Sequence, residues 1–589
     1  MSRRRAVAPP PSGADCTLVE ARIRCSAMRH MARAWAETLP WDGRDAAVAL
    51  FTLEAMTAYE SYRNADDADT GLLDQPEAEL ARSAGIAAAG LPLLEALHWL
   101  TSLYSGLLDP DVRSRLGAFY TPPALAARLL DQAEEAGANW TTARVLDPAA
   151  GGAAFLADAA LRMRMALTHC APAIALAQIG ARLRGIELDP HAARVGQRAL
   201  DIVLADLAAA AKRPVPQIII AADSLASEAQ PDYDLVVGNP PYGRIKLTET
   251  QRVKFARSLY GHANLYGLFT DMALRWTKPG GLIAFLTPTS VLSGQYYSTL
   301  RGLLAREAPP VAIDFVHARR GVFDDVQQET MLAVYRKDAA AGRAQIHYIY
   351  VDGAAETRIV RNGTVGVPSW AEGPWLAPRQ ATDSTLIAVT ETMPGRLADL
   401  GYRVATGPLV WNRFKSQLRD TPGRDNVYPL IWSEAVCTDG RFRFRAEKKN
   451  HSLFFELEPG DDFLLVREGA VLVQRTTAKE QRRRIIAAEL PAAFVDLHGG
   501  VVVENHLNML VPSGEPKISL NVLAALLNSA IIDQLFRCIS GSVAVSAFEL
   551  EAVPLPPAGA LAPLAALVAK GADRDTLDRA CAALYRTTA

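Results

Sequence analysis

Cysteine is scarce in this sequence: Cys16, Cys25, Cys170, Cys437, Cys538 and Cys581 are scattered over 589 positions. They form no C-x-x-C pair and no His/Cys spacing suited to a metal, which argues against a disulfide framework and against a zinc site. Long uninterrupted apolar runs are also missing, so no segment reaches the length of a membrane helix. The opening Met1-Ser-Arg-Arg-Arg-Ala-Val-Ala-Pro-Pro-Pro has the charge of a secretion signal but lacks the apolar stretch that completes one. It reads as a disordered arm over 1–15. These absences predict a cytoplasmic protein with free thiols. An excess of either charge is lacking too: 62 Lys and Arg face 64 Asp and Glu, a net charge of −2. Any surface for nucleic acid must therefore be local.

What is present centres on Asp234-Leu-Val-Val-Gly-Asn239-Pro240-Pro241-Tyr242-Gly243. The apolar run suits a buried parallel strand. Two prolines then fix φ and push the residue before them out of helical geometry. The Asn239 amide and the Pro240 carbonyl are thus held at the C-terminal end of a strand, where open α/β sheets bind ligands. Both can accept hydrogen bonds from one planar amino group, and Tyr242 supplies a ring for stacking. This is equipment for methylating an exocyclic or amide nitrogen. A plain proline turn after a strand is the competing reading.

The flanking elements favour the first reading. Residues 16–115 show apolar spacing of helical period without recognisable chemistry. In Gly117-Ala-Phe119-Tyr120-Thr121-Pro122-Pro123, the prolines suit a helix start with Thr121 as N-cap. Arg144-Val-Leu-Asp147-Pro-Ala-Ala149-Ala-Gly151-Gly152 reads as a strand, a glycine turn and a helix N-terminus, where a backbone can approach a ligand closely. Asp147 could take a cationic amine or a bridging water. Glu187 and Asp223 end the next two strands, and an acid at the second strand end typically accepts from ribose hydroxyls. Single strand-end acids are often caps, but three in series before Asn-Pro-Pro-Tyr are hard to attribute to capping. Strands alternating with helices from 117 onward predict a doubly wound, largely parallel α/β sheet over 116–375.

Residues 401–450 hold ten Lys/Arg and five Asp/Glu, a local positive excess in a slightly acidic chain. Arg441-Phe-Arg443-Phe-Arg445 alternates with strand period, putting arginines on one face and phenylalanines on the other. Arg413, Lys415, Arg475 and Lys479 add further basic positions. Such clusters beside aromatics fit a phosphate-contacting face over 395–560, in a mixed α+β domain. Ser519 to Cys538 reads as one helix, and 561–589 as a C-terminal helix.

In this order, Phe119-Tyr-Thr-Pro, Asp147-Pro-Ala-Ala-Gly-Gly, Glu187, Asp223, Asn239-Pro-Pro-Tyr, Tyr266-Gly-Leu-Phe and Gly321-Val-Phe resemble a gamma-class DNA adenine-N6 methyltransferase of the TaqI-like kind. Trp411-Asn-Arg-Phe-Lys, Arg475-Thr-Thr-Ala-Lys-Glu and Glu504-Asn-His resemble the target recognition domain of the PstI-like subgroup. The resemblance implies a Rossmann-like class I methyltransferase fold, S-adenosyl-L-methionine as donor and double-stranded DNA as substrate. A monomer is expected, with a cognate restriction endonuclease as possible companion.

By that resemblance Thr121 and Asp147 contact the methionine part, Glu187 the ribose, and Asp223 and Phe269 the adenine. Tyr120, Ala149 and Gly151 complete the cofactor site. Asn239 and Pro240 hold the target amino group, and Tyr242 and Phe323 sandwich the flipped base. No metal is implied. The family usually has a second glycine where Ala153 stands, and the extra methyl is expected to crowd the methionine end. Alternative readings are a protein glutamine-N5 methyltransferase, a ribosomal RNA methylase, a degenerate DNA-binding scaffold, and a fused nuclease built on Asp439 with Glu447-Lys-Lys449.

Overall fold

The computed structural model describes residues 18–64, 73, 75–117, 120–318, 329–352, 356–423, 425–476, 483–540 and 544–586. Phe119, Phe323 and Lys479 lie outside the described residues, as does the arm at 1–15.

The central strands in chain order are β1 (Val145–Asp147), β2 (Leu183–Glu187), β3 (Ile219–Ala221) and β4 (Tyr233–Gly238), then the short pair β5 (Arg244–Ile245) and β6 (Ala263–Asn264). They continue as β7 (Thr277–Pro288), β8 (Pro310–Ala318), β9 (Thr330–Arg336), β10 (Arg343–Asp352) and β11 (Glu356–Gly366). Nine of these form one sheet in the order β11-β10-β8-β9-β7-β4-β1-β2-β3. β3, β2, β1, β4 and β7 are parallel neighbours, whereas β9 runs antiparallel between β7 and β8. β10 returns parallel to β8, and β11 closes the edge as an antiparallel hairpin. The sheet is therefore mixed rather than largely parallel on its β9 side. Strand order reverses between β1 and β4, which opens a crevice at their C-terminal ends.

Apolar side chains cover both faces of the sheet. One face packs under the helices Pro123–Glu135, Ala154–Ala166 and Pro190–Ala211. The helices Leu18–Ala36, Arg44–Asn64, Gln75–Ala88 and Leu93–Leu107 bury their own apolar stripes in that same core, so the N-terminal helical region and the sheet are packed as one body. The other face packs under Leu265–Trp276 and Ser298–Glu307.

Three local expectations are corrected. Thr121 does not cap the helix Pro123–Glu135: Pro122 holds the N-cap position without a side-chain bond. Ser519 to Cys538 is two helices, Leu520–Leu527 and Ala530–Ile539, bent by 65°. The break lies at Asn528 and Ser529, whose short polar side chains compete with the helical backbone. Asn528 exchanges hydrogen bonds with the backbone of Ala487, and Ser529 Oγ accepts from the Ile532 amide. Arg441 to Arg445 makes one isolated bridge, Val436 to Phe442, rather than a strand. Its amides are consumed locally, Arg443 N–H by the Ala435 carbonyl and Arg441 N–H by Asp439 Oδ1.

The C-terminal half holds an antiparallel sheet of Tyr402–Thr406, Leu507–Pro512, Ala470–Gln474 and Ala487–Leu490. A second sheet combines five short strands between Leu418 and Val503. This half meets the segment that follows β11 through the Ala377 amide to the Cys538 carbonyl (3.0 Å) and Gln534 Nε2 to Asp383 Oδ1 (2.7 Å). No single helix among the described residues is long and apolar enough to cross a membrane.

Candidate active site

A cavity of about 240 Å³ lies at the C-terminal ends of β1, β2, β3 and β4. Tyr120, Thr121, Asp147, Ala149, Gly151, Glu187, Asp223, Phe269 and Asn239 all line it, although they come from six separated segments. Pro240 is buried and does not itself line the cavity.

The glycine turn after β1 shapes its floor. Gly151 has φ +48, and a methyl group there would meet the Tyr120 ring at 3.0 Å. At Gly152 a methyl would fall 2.7 Å from Thr101 Oγ1 and 2.9 Å from the Tyr120 ring. Both glycines are required for the Tyr120 ring to rest on the loop. Ala153 adopts φ +63, ψ 26, a left-handed conformation that costs a non-glycine residue about 1–2 kcal/mol. Its side chain is fully buried, and it does not line the cavity. The expected crowding of the methionine end is therefore absent; the departure appears as backbone strain instead.

Three acids converge here, each in a different state. Asp147 is buried, with Oδ1 accepting from the Ala149 amide (3.0 Å) and Oδ2 without a partner. Burial, opposed by that amide and reinforced by nearby Glu187, pushes its carboxyl up to about 8. Gly238 matters to this contact, because a Cβ there would lie 2.7 Å from Asp147 Oδ1. Glu187 accepts from Gly151 N–H at Oε2 (2.8 Å) and from Asp189 N–H at Oε1 (3.0 Å). Burial raises its pKa against those amides. Asp223 accepts from the Leu225 amide (2.8 Å), so it is a turn former that also faces the cavity.

Asn239 sits at the rim with its amide pinned at both ends. Nδ2 donates to Thr121 Oγ1 (3.2 Å), which explains why Thr121 is not a cap. Oδ1 accepts from the Tyr242 hydroxyl (2.8 Å), which is also 3.3 Å from the Leu286 carbonyl. Tyr242 meets Tyr266 edge-on at 5.9 Å, and Tyr266 stacks on Tyr297 at 4.9 Å. Gly117, at φ +63, leaves room for Pro241, which a Cβ there would approach to 2.6 Å.

The N-terminal helices reach this site. The Tyr104 hydroxyl donates to Asp189 Oδ2 across 85 positions of sequence, while Asp189 Oδ1 caps the helix Pro190–Ala211 through the His191 amide. Tyr120 ends in a buried hydroxyl without a hydrogen-bond partner.

The predicted basic positions are less uniform. Arg441 and Arg413 are exposed, and Lys415 lies 5.6 Å over the Trp411 ring. Arg443 pairs with Asp439 at 3.4 Å. Arg445 donates to the Glu434 carbonyl and pairs with Glu447 at 2.6 Å. Arg475 donates to the Asn505 carbonyl at 2.7 Å. Asp439 and Glu447 are thus each matched to a different arginine. Among the described residues no group of three or more His, Cys, Asp or Glu could hold a metal ion.

Residues 186–323, from the end of β2 through the asparagine rim, match the Eco57I restriction-modification methylase family. Over that stretch the chain is similar to restriction-modification methylases. It is 28% identical over 341 residues to the Type II methyltransferase M.BsuBI of Bacillus subtilis, covering 57% of this chain and 67% of that protein. It is also 28% identical over 352 residues to the Type II methyltransferase M.PstI of Providencia stuartii, covering 56% and 66%. PstI-like modification methylases are thus its relatives, over about two thirds of their length. In fold it is similar to the type IIL restriction-modification enzyme MmeI, whose structure was solved in complex with DNA (TM-score 0.50, 13% identity, 96% of each chain).

Proposed function

We propose that this chain is a site-specific DNA methyltransferase that transfers the methyl group of S-adenosyl-L-methionine to the exocyclic N6 of adenine in double-stranded DNA. The observation that carries the reading is the Asn239 amide, held in a fixed orientation at the cavity rim by Thr121 and Tyr242. The cavity suits the cofactor on its own chemistry. The partnerless, buried Asp147 Oδ2 fits a cationic amine, and Glu187 and Asp223 face the same space as ribose and adenine partners.

The cofactor, when bound, supplies an electrophilic methyl group on a positively charged sulfur. The remaining work falls to the chain. An adenine amino nitrogen is a poor nucleophile because its lone pair is delocalised into the ring. Accepting its two N–H groups at Asn239 Oδ1 and the Pro240 carbonyl favours a pyramidal nitrogen with its lone pair aimed along the transfer line. Rate then comes from alignment and from stabilising positive charge on nitrogen. The adenine must leave the duplex, at about a few kcal/mol. Stacking returns roughly 1–3 kcal/mol per base. Tyr242 is the proposed stacking ring, and Phe323 its proposed counterpart. Residues 395–560 are proposed to read the site, within a restriction–modification system that includes a cognate endonuclease. Sequencing DNA from cells expressing the protein for modified bases tests this reading. Methylated adenine at one defined motif is expected; modified cytosine, or no modification, overturns it.

A further inference from the structure

Basic residues also crowd a second place, immediately after the catalytic tetrapeptide. Residues 243–262 hold five Lys/Arg (Arg244, Lys246, Arg252, Lys254 and Arg257) and one acid, Glu249. Two of these cations are structural. Lys254 donates to the Leu225 and Ser227 carbonyls (2.7 and 2.9 Å), and Arg257 is paired with the buried Asp271 and with Glu307. They clamp the segment onto the sheet. The other three are exposed. Ile245 of β5 and Gln251 of the short helix Glu249–Lys254 line the cavity, whereas Arg244, Lys246 and Arg252 are on the exposed side.

Aromatic rings support the outward side. The Arg244 guanidinium lies 5.7 Å from the Tyr296 ring, and His262 packs against the same ring at 5.5 Å. Tyr296 is 43% exposed and Tyr260 45%, large rings at the surface. Gln295 Nε2 donates to the Tyr260 hydroxyl at 3.4 Å, tying the two ring-bearing loops together. Gly261, at φ +65, is where those loops come closest, with Tyr296 atoms 3.1 Å from a would-be Cβ. The pairing of β5 with β6 and the Leu265 amide to the Gly243 carbonyl (2.9 Å) fix Arg244 two residues from Tyr242.

We infer that the outward side of residues 244–262 is a phosphate-gripping surface for the duplex strand that carries the target base, with Tyr296 a positioning residue for Arg244. The inference rests on the reading of duplex DNA as substrate. A base leaving the stack turns about its own backbone, so its flanking phosphates must be held beside the cavity mouth. Three outward cations within a few residues of the rim match that requirement, and phosphate contacts set register without reading sequence. The Tyr296 ring beside Arg244 restrains its guanidinium, which suits contact with a phosphate.

The test is the salt dependence of binding to a duplex containing the methylated motif, and to an unrelated duplex, at several ionic strengths. Arg244→Ala should lower the slope of log Kd against log salt by about one, and the triple Ala variant of Arg244, Lys246 and Arg252 by about three, equally on both duplexes. Affinity for S-adenosylhomocysteine should stay unchanged, which shows that the variants fold. Tyr296→Leu should reproduce Arg244→Ala, and Tyr296→Phe should behave as wild type because it keeps the ring face. Slopes equal to wild type in the triple variant overturn the inference. A change confined to the cognate duplex overturns it too, because that identifies a base reader. If wild-type protein binds no duplex at all, the substrate reading itself falls, a result distinct from either.

Discussion

The cavity rim and the basic stretch at 441–445 carry polar groups in opposite conditions. At the rim, Asp147 Oδ2 and the Tyr120 hydroxyl are buried without partners, and Asn239 is oriented by its neighbours. Buried polar groups are ordinarily satisfied, so two orphans lining one cavity point to a ligand. At 441–445, Arg443 and Arg445 have their demands met inside the chain, by Asp439, Glu447 and the Glu434 carbonyl. A count of charges ranks the second region higher as a binding surface. The hydrogen bonds rank the first higher, and they also favour 244–252 over 441–445 as a place to grip DNA.

The contrast can be broken first at the rim. Asn239→Ala should abolish methyl transfer while calorimetry with S-adenosylhomocysteine still shows binding, because the role proposed for Asn239 is to hold the substrate amino group. Glu187→Ala should weaken that binding by about 1–3 kcal/mol, since it strands the amides of Gly151 and Asp189 as well as ligand donors. Unchanged affinity would reduce Glu187 to a turn former.

Asp147 gives a pH signature. The folded protein holds a proton there up to about 8, while the unfolded chain releases it near the ordinary value of 3.8. Between those values the native state binds more protons, so stability falls as pH rises and levels off above about 8. A cationic amine favours the ionised form. Cofactor affinity should therefore increase with pH toward 8, by up to about tenfold per unit. Asp147→Asn should flatten the profile, and a flat wild-type profile contradicts the assignment.

Neutralising Arg441, Arg443 and Arg445 together should cost only about one unit of salt slope, because two of the three are already paired. A loss near three would mean that those pairs open on DNA. The smallest effect belongs to Ala153→Gly. Relief of the left-handed strain is offset by the lost methyl burial and by a freer unfolded chain, so denaturation should shift by less than about 1 kcal/mol. Cofactor affinity should not change, as the methyl does not line the cavity.

What the sequence disclosed follows from the range of the interactions. Asn239-Pro-Pro-Tyr announces itself because prolines act on their own neighbours, and Asp147, Glu187 and Asp223 were legible as successive strand ends. Tyr104 was not, since its partner Asp189 is 85 residues away and nothing local marks it. The left-handed φ of Ala153 contradicts its residue type and is enforced by packing. The bend at Asn528 and Ser529 was legible in residue type but hidden by the apolar periodicity around it. The internal pairing of Arg443 and Arg445 leaves no trace in a charge count, and no periodicity in the sequence marks the outward cations at 244–252.

The most direct test incubates purified protein with duplex DNA and S-adenosylmethionine labelled in its methyl group, then digests the DNA to nucleosides and separates them. The account predicts that the label appears as N6-methyladenine. Label in cytosine, or in protein with none in DNA, contradicts it.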